Sequence, residues 1–309
     1  FFFLMSQSST ASGLADYPGS TSSQDDNIDL VFMCAMEKVQ SIASILAAIN
    51  IVKDKKVPTI CTVTITKKGI KFTVEESHSL QANVFFQEEL FKQFNLEGPS
   101  IQFRIYLSVF LDCLNIFGNQ PSNPTSLQML YKGYGNPLIL TLTEDKNTNM
   151  LTDVTINTME SQGLINFNFR GCPIHNKVIM QSHCLKEAFD ELDWSSTFVN
   201  FVLSPDEPFF RLQTAGNLGS CQVDYPKDSD EVFESFECSQ TQSNFYKLSV
   251  IQPTVKALAV ASKTQVRVNQ RGVLSMQHMV TDTKQMSTCF IDFFILPSED
   301  GDSDEEMLE

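Results

Sequence analysis

Two groups of carboxylates are the residues of this chain that could do chemistry. One has helical spacing and the other follows a strand-like run; the groups are Glu187, Asp190, Glu191 and Asp193, and Asp224, Asp228 and Asp230. Carboxylates cleave phosphodiesters when they converge on two metal ions about 4 Å apart. Neither group forms a paired acidic strand motif with a general base beside it. Metal-dependent DNA cleavage is therefore an alternative and not the favoured interpretation.

Histidine and cysteine are too scattered to predict a metal site. The four histidines lie at 78, 175, 183 and 278, and the eight cysteines include no CxxC pair. Zinc needs four convergent ligands. His175 and His183 flank a strand, where a solvent-exposed histidine is commoner than a catalytic one. We expect reduced cysteines, no metal, no cofactor and no catalytic residue; phosphate-binding glycine loops, the nucleophile elbow and HExxH are absent from the sequence.

Charge is concentrated at the carboxyl end of the chain. The net charge is −15, and residues 298–309 hold seven carboxylates and no base, so the remainder carries −8. Such a run repels itself, and we expect a disordered tail that either increases solubility or binds a partner. Ser303 precedes three acidic residues and is a possible phosphorylation site. Residues 1–27 are rich in Ser, Thr and Gly and are also expected to be disordered, with translation starting at Met5. No run is apolar enough to span a bilayer.

The elements that must position any functional residue occur twice, in the same order. Strand, helix, hairpin, further strands, helix and three strands run from residue 28 to 159 and again from 176 to 297. The predicted helices are 36–49, 107–117, 183–193 and 253–262, the last with Pro253 as its first residue. The economical explanation is a duplicated α+β domain, with two helices packed on antiparallel sheet in each copy and a connector at 160–175.

Six local strings then suggest a family. They are KKGIKFTVE (67–75), VFLDCLNIFG (109–118), YKGYGNPL (131–138), KEAFDELD (186–193), SPDEPFFRL (204–212) and DYPKDSD (224–230). Together they closely resemble the Rad-one family of checkpoint clamp subunits, relatives of proliferating cell nuclear antigen, from about Ile28 to Pro297. The resemblance implies two tandem domains of the DNA clamp fold.

The same resemblance implies a nuclear, non-catalytic subunit of a heterotrimeric ring. Its implied partners are two other clamp subunits, a clamp loader, double-stranded DNA, and checkpoint and repair proteins, with no membrane. The rivals are a metal-dependent 3′–5′ DNA exonuclease, because this family has been suggested to cleave DNA, and a scaffold that never touches DNA.

Residue roles follow from the resemblance. The helices would face DNA, with Lys38, Lys186, Lys256 and Lys263 as basic contacts, unless these are ordinary solvated lysines. Water-screened lysines would permit sliding, whereas tight ion pairs would pin the ring. Ring closure would use the edges of two strands, unless these are interior strands of a monomer. The edge residues are Leu151, Val154, Ile156, Cys221 and Val223.

The connector and one loop complete the predictions. By resemblance the connector docks partner peptides, through Leu164, Ile165, Phe167 and Phe169. The segment 52–57 makes the first helix-to-strand link longer and more basic than the family suggests. It is either a loop insertion, which we favour, or an extra DNA or partner contact. The N-terminal extension also has no obvious counterpart.

Overall fold

A computed structural model describes residues 30–52, 57–118, 124–144, 150–216, 219–227, 229, 231–282 and 287–298. The predicted N-terminal extension, the basic stretch 53–56, the residues from 299 to the end with Ser303, and Asp228 and Asp230 lie outside these ranges. No helix among the described residues is long and apolar enough to cross a membrane. All eight cysteines are described and free, as predicted.

The described residues of the first half form two helices and nine strands. In chain order these are β1 (Phe32–Met36), α1 (Val39–Ala48), β2 (Ile60–Thr66), β3 (Gly69–Glu76), β4 (Leu80–Gln87), a 3-10 turn (Glu88–Leu90), β5 (Gln93–Leu96), β6 (Ser100–Tyr106), α2 (Leu107–Leu114), β7 (Thr125–Tyr131), β8 (Leu138–Glu144) and β9 (Leu151–Ile156). Strand β5, short and partly polar, escaped the sequence prediction.

The second half repeats the order of helices and strands, and its 3-10 turn stands before the first strand instead. In chain order it contains the 3-10 turn (Phe169–Gly171), β10 (Ile174–Gln181), α3 (Ser182–Glu191), β11 (Phe198–Leu203), β12 (Phe210–Gly216), β13 (Gly219–Tyr225), β14 (Phe233–Cys238), β15 (Gln242–Lys247), α4 (Leu248–Leu258), β16 (Lys263–Asn269), β17 (Leu274–Asp282) and β18 (Ser287–Ile295). Helix α4 begins before Pro253, which corrects the predicted start, because the buried residues Leu248 and Ile251 extend its apolar face.

The strand order of the sheets reveals the duplication. One sheet has the order β5-β1-β7-β8-β9 and another the order β13-β12-β11-β15. The third sheet, β14-β10-β16-β17-β18-β4-β3-β2-β6, joins the counterpart of the first sheet to the counterpart of the second. Its centre is the antiparallel pair β18–β4, which we call the closed junction. Each half thus contributes a five-stranded and a four-stranded unit.

The helices form one layer against these sheets. Helix α1 contacts both α2 and α4, and α4 contacts α3, which gives the order α2-α1-α4-α3. Alternate strand residues point at this layer and are buried with it in one continuous hydrophobic core that runs through both halves. The alternate residues on the opposite side form what we call the outer face of each sheet.

Candidate functional site

Two strands expose an unpaired edge at positions that are counterparts of the closed junction. Strand β9 pairs only with β8, and β13 pairs only with β12, among the described residues. In the repeat, β9 corresponds to β18 and β13 corresponds to β4. We call β9 and β13 the open edges. An unpaired strand edge is a template for pairing with another chain.

The predicted edge residues differ in their exposure. Leu151 is 61% exposed, whereas Val154 and Ile156 point towards the helix layer and are buried. Cys221 and Val223 are half-buried, and the thiol of Cys221 donates to the carbonyl oxygen of Glu191 at 3.1 Å. The open edges therefore offer backbone groups together with a small inward-facing apolar strip.

Of the four predicted DNA-facing lysines, three lie on or beside the helices. Lys38 precedes α1 and Lys256 lies in the last turn of α4, and both are exposed. Lys186 on α3 is half-buried and forms an ion pair with Asp190 one turn away. That solvent-exposed pair partly offsets the positive charge that Lys186 presents to a phosphate.

Lys263 does not join this group, which corrects the prediction. Thr264, Val266 and Val268 are buried towards the helices, so Lys263 alternates to the outer face of the sheet. There it pairs with Glu234 at 2.5 Å. The cause is the two-residue period of a strand. Lys263 is close to α4 in the sequence, but its side chain lies on the face of β16 that points away from the helices.

Asp193 and Asp224, two acidic residues of the exonuclease alternative, are engaged in other contacts. The carboxylate of Asp224 accepts two hydrogen bonds from the guanidinium of Arg211, at 2.6 and 2.9 Å. Two hydrogen bonds from Ser195 hold the pKa of Asp193 below its usual range. Among the described residues, no three His, Cys, Asp or Glu side chains lie close enough together to hold a metal ion.

The connector is held against the outer face of the nine-stranded sheet at several points. It begins beside β6, where Met159 and Arg104 exchange backbone hydrogen bonds of 2.8 and 3.0 Å. The guanidinium of Arg104 also donates to the carbonyl oxygen of Glu160 at 2.7 Å. Further along, the carboxylate of Glu75 accepts from the backbone N–H of Ile165 at 2.7 Å.

Aromatic residues fix the second part of the connector. Phe167 and Phe169 are buried with Val273 in a small cluster against Phe294, with ring centroids 6.5 and 5.4 Å from that of Phe294. The guanidinium of Arg267 lies 5.3 Å from the centre of the Phe169 ring. Among the predicted docking residues, Leu164 and Ile165 are half-buried, so only these two present surface to a partner in this conformation.

Half-buried charged residues of the sheet lie near the connector, and sequence reasoning missed them. Burial raises the pKa of Asp292, while a 2.7 Å hydrogen bond from Gln277 and the charge of Arg267 oppose that rise. Burial lowers the pKa of Lys71. The polar residue in the apolar run 289–295 was the available signal, because a carboxylate there needs a partner on a neighbouring strand.

Comparisons with known proteins agree with this geometry. Residues 31–280 match the family model described as repair protein Rad1/Rec1/Rad17. The chain is 41% identical to the cell cycle checkpoint protein RAD1 of Homo sapiens, over 90% of this chain and 95% of that protein. It is 32% identical to the DNA damage checkpoint control protein rad1 of Schizosaccharomyces pombe, over 80% and 82%.

Among solved structures, PCNA from Thermococcus kodakaraensis superimposes with a TM-score of 0.68 at 17% sequence identity. The match covers 86% of this chain and 100% of that one, which confirms the predicted clamp fold. The family-model match and the RAD1 relatives show that the chain belongs to the Rad1/Rec1/Rad17 family of repair and checkpoint proteins, and the fold agrees with them.

Proposed function

We propose that this chain is a non-catalytic subunit of a heterotrimeric ring that encircles double-stranded DNA at damage sites. The ring would be placed by a clamp loader in the nucleus and would recruit checkpoint and repair proteins. One observation carries the proposal: the open edges β9 and β13 are the counterparts of β18 and β4, which pair inside the chain. Repeating that junction between chains adds subunits head to tail, and a heterologous contact of this kind closes into a ring when the rotation fits.

The residues at the open edges favour different neighbours over a second copy of this chain. At the closed junction, Phe293 faces Ala82 and Ile295 faces Leu80, and all four are fully buried. The corresponding positions at the open edges follow from the registers of β8–β9 and β12–β13. They are Val154 opposite Cys221, and Ile156 opposite Gly219.

Self-pairing would therefore bury little apolar surface, and on the outer face it would set Leu151 against Asp224. The hydrophobic contribution to association scales with the apolar area removed from water. Neighbours with larger apolar residues at the facing positions fit both edges better. This is the physical reason to propose a ring of three different subunits.

The helix layer supports a sliding contact with DNA. Its helices carry two lysines, Lys186 and Lys256, and four carboxylates, Asp112, Glu187, Asp190 and Glu191. Three of those carboxylates lie on α3, whereas α1 has no charged residue and α4 has only Lys256. We therefore assign the DNA contact of this chain to the middle of the layer, where α1 and α4 are neighbours, through Lys38 and Lys256. Encirclement retains DNA without strong phosphate binding.

Reconstitution with the two other clamp subunits of the same organism tests the proposal. Native mass spectrometry is expected to show one copy of each chain and no homotrimer of this chain. Loaded complexes are expected to remain on closed circular DNA at high salt and to leave after the DNA is linearised. A stable homotrimer, or equal loss from both DNA forms, would contradict the proposal. An assembled ring that is retained on neither DNA form would favour the scaffold alternative.

Charge reversal tests the DNA-facing assignment. Lys38→Glu combined with Lys256→Glu is expected to shorten retention on circular DNA and to reduce its salt dependence, because two phosphate neighbours are lost. Lys263→Glu is the matched control, since that residue lies on the outer face and should leave retention unchanged. Equal behaviour of both variants would remove the assignment while leaving the ring intact.

A further inference from the structure

On the outer face of the first half, a row of apolar side chains has no other described segment of the chain lying over it. Met33 on β1 pairs with Leu130 on β7, Leu130 pairs with Ile139 on β8, and Ile139 pairs with Thr155 on the open edge β9. All three apolar residues are half-buried and point away from the helix layer. We call Met33, Leu130 and Ile139 the apolar row. Contiguous exposed apolar surface of this kind marks an interaction site.

The repeat supplies the counterpart of this row. In the second half, Lys177 pairs with Arg267, Arg267 pairs with Ser275, and Ser275 pairs with Phe294. These positions correspond one by one to Met33, Leu130, Ile139 and Thr155. The connector crosses this counterpart row and seats Phe169 over Arg267 and against Phe294. Among the described residues, the same place in the fold is therefore covered in one half and exposed in the other.

The connector, which covers the counterpart row of the second half, follows β9, the last strand of the first half. After β9 the chain pairs Met159 with Arg104, three residues before α2, and then crosses the closed junction. After β18 the backbone N–H of Ser298 donates to the carbonyl oxygen of Phe245 at 2.8 Å, three residues before α4. The residues that follow the last strand thus leave the fold in the way the connector does. In the proposed ring, a chain that leaves the fold in this way would continue across the open edge β13 towards the next subunit.

We infer that the apolar row receives the extended segment that follows the last strand of the neighbouring clamp subunit, the one whose free edge pairs with β9. This inference rests on the proposed function. The segment replaces the connector at the equivalent junction between chains, and its contacts are apolar or aromatic because the row has no charged residue. A cleft of about 530 Å³ adjoins Met33 at the β5 edge of the sheet, and its lining includes the charged residues Lys67, Glu88 and Glu97 as well as apolar ones.

Other segments fit this surface less well. Phe167 and Phe169 precede β10 by a few residues, and the corresponding stretch before β1 reads Ser-Ser-Gln-Asp-Asp-Asn, which has no apolar side chain to offer. A second copy of this chain would bring residues 299–309, with seven carboxylates, onto an apolar surface beside Asp153. The neighbour is therefore a different chain with a less acidic segment after its last strand.

Site-specific photo-crosslinking in the reconstituted ring tests the inference. A benzophenone amino acid replaces Leu130 in the row, and the control replaces Gln128, which lies two residues away on the same face of β7. Native mass spectrometry first establishes that both labelled rings assemble. The Leu130 position is expected to crosslink to the neighbour's residues beyond its last strand, and the Gln128 position to give background.

Deletion of the neighbour's segment provides the second measurement. It should abolish the crosslink and weaken ring assembly about tenfold. A ring that forms while Leu130 crosslinks to residues 1–29 of its own chain, to the body of a neighbour or to nothing overturns this inference alone. Failure of the unlabelled ring to form overturns the proposed function, and this inference with it.

Discussion

The closed junction and the open edges are built on the same plan and differ in what their inward-facing residues offer. At the closed junction Phe293, Ile291 and Ile295 of β18 meet Ala82, Val84 and Leu80 of β4. At the open edges the equivalent positions hold Val154, Thr152 and Ile156 on β9, and Cys221, Val223 and Gly219 on β13.

The same strand-pairing geometry can therefore serve within a chain or between chains, and the volume of the inward-facing side chains decides which. Large buried residues join the two halves of this chain, whereas smaller ones leave an edge that a complementary neighbour can pair with.

Phe293→Ala should weaken the closed junction most. Phe293 is fully buried opposite Ala82, and removing such a ring costs about 3–5 kcal/mol of unfolding free energy. The control is Phe290→Ala on the outer face of the same strand, which is 42% exposed and should cost under about 1 kcal/mol. Chemical denaturation of the isolated chain measures both. Similar losses in the two variants would refute a junction that depends on inward-facing residues.

Cys221→Asp should act on assembly and spare the isolated chain. Cys221 is half-buried now and takes the place that Ala82 has at the closed junction, so a neighbour would bury the new carboxylate. The expected result is a loss of ring affinity of about 100-fold, close to 3 kcal/mol. Analytical ultracentrifugation of the three subunits measures it. Gln222→Asp, on the outer face of β13, is the control and should assemble normally.

Acid should destabilise the sheet that contains the closed junction. His278 is fully buried beside Phe293, and burial lowers its pKa to about 3 from an ordinary 6.5. The unfolded chain therefore binds a proton that the folded chain does not, and stability falls as the pH drops below 6.5. Between pH 7 and pH 5 the loss is about 2 kcal/mol.

The counterpart of His278 in the first half is Leu142, which does not titrate, so His278→Leu should flatten this dependence. Denaturation at both pH values measures the slope. His183→Gln, on the exposed face of α3, should leave the slope as it is. An unchanged slope in His278→Leu would mean that other groups control the acid response.

The smallest effect concerns the connector. Glu75→Ala removes the acceptor of the Ile165 backbone N–H, and a hydrogen bond to a charged group contributes about 1.5 kcal/mol. Hydrogen exchange at Ile165 should accelerate about tenfold with little change in global stability. Gln87→Ala, exposed at the end of β4, is the control. Unaltered exchange at Ile165 would show that the aromatic residues alone hold the connector.

The sequence predicted what depends on local patterns and missed what depends on long-range pairing. The doubled order of elements followed from apolar periodicity and turn residues, and the four helices were found with shifted ends. The face occupied by Lys263 was also readable, because Thr264, Val266 and Val268 alternate with polar residues. The β18–β4 pairing was not, since it joins strands about 200 residues apart and any exposed edge could have been its partner. The burial of Phe167 and Phe169 was not readable either, since it depends on contacts with Val273 and Phe294, which lie far along the chain.

The nine-stranded sheet also has a mechanical consequence. A hydrogen-bonded ladder crosses the boundary between the two halves, and the helices α1 and α4 touch behind it, so the halves move as one stiff arc. In the proposed ring, large movements are then restricted to the interfaces between chains. A ring that opens to admit a duplex must separate at one of those interfaces, and we expect it to separate at the one with the least buried apolar surface.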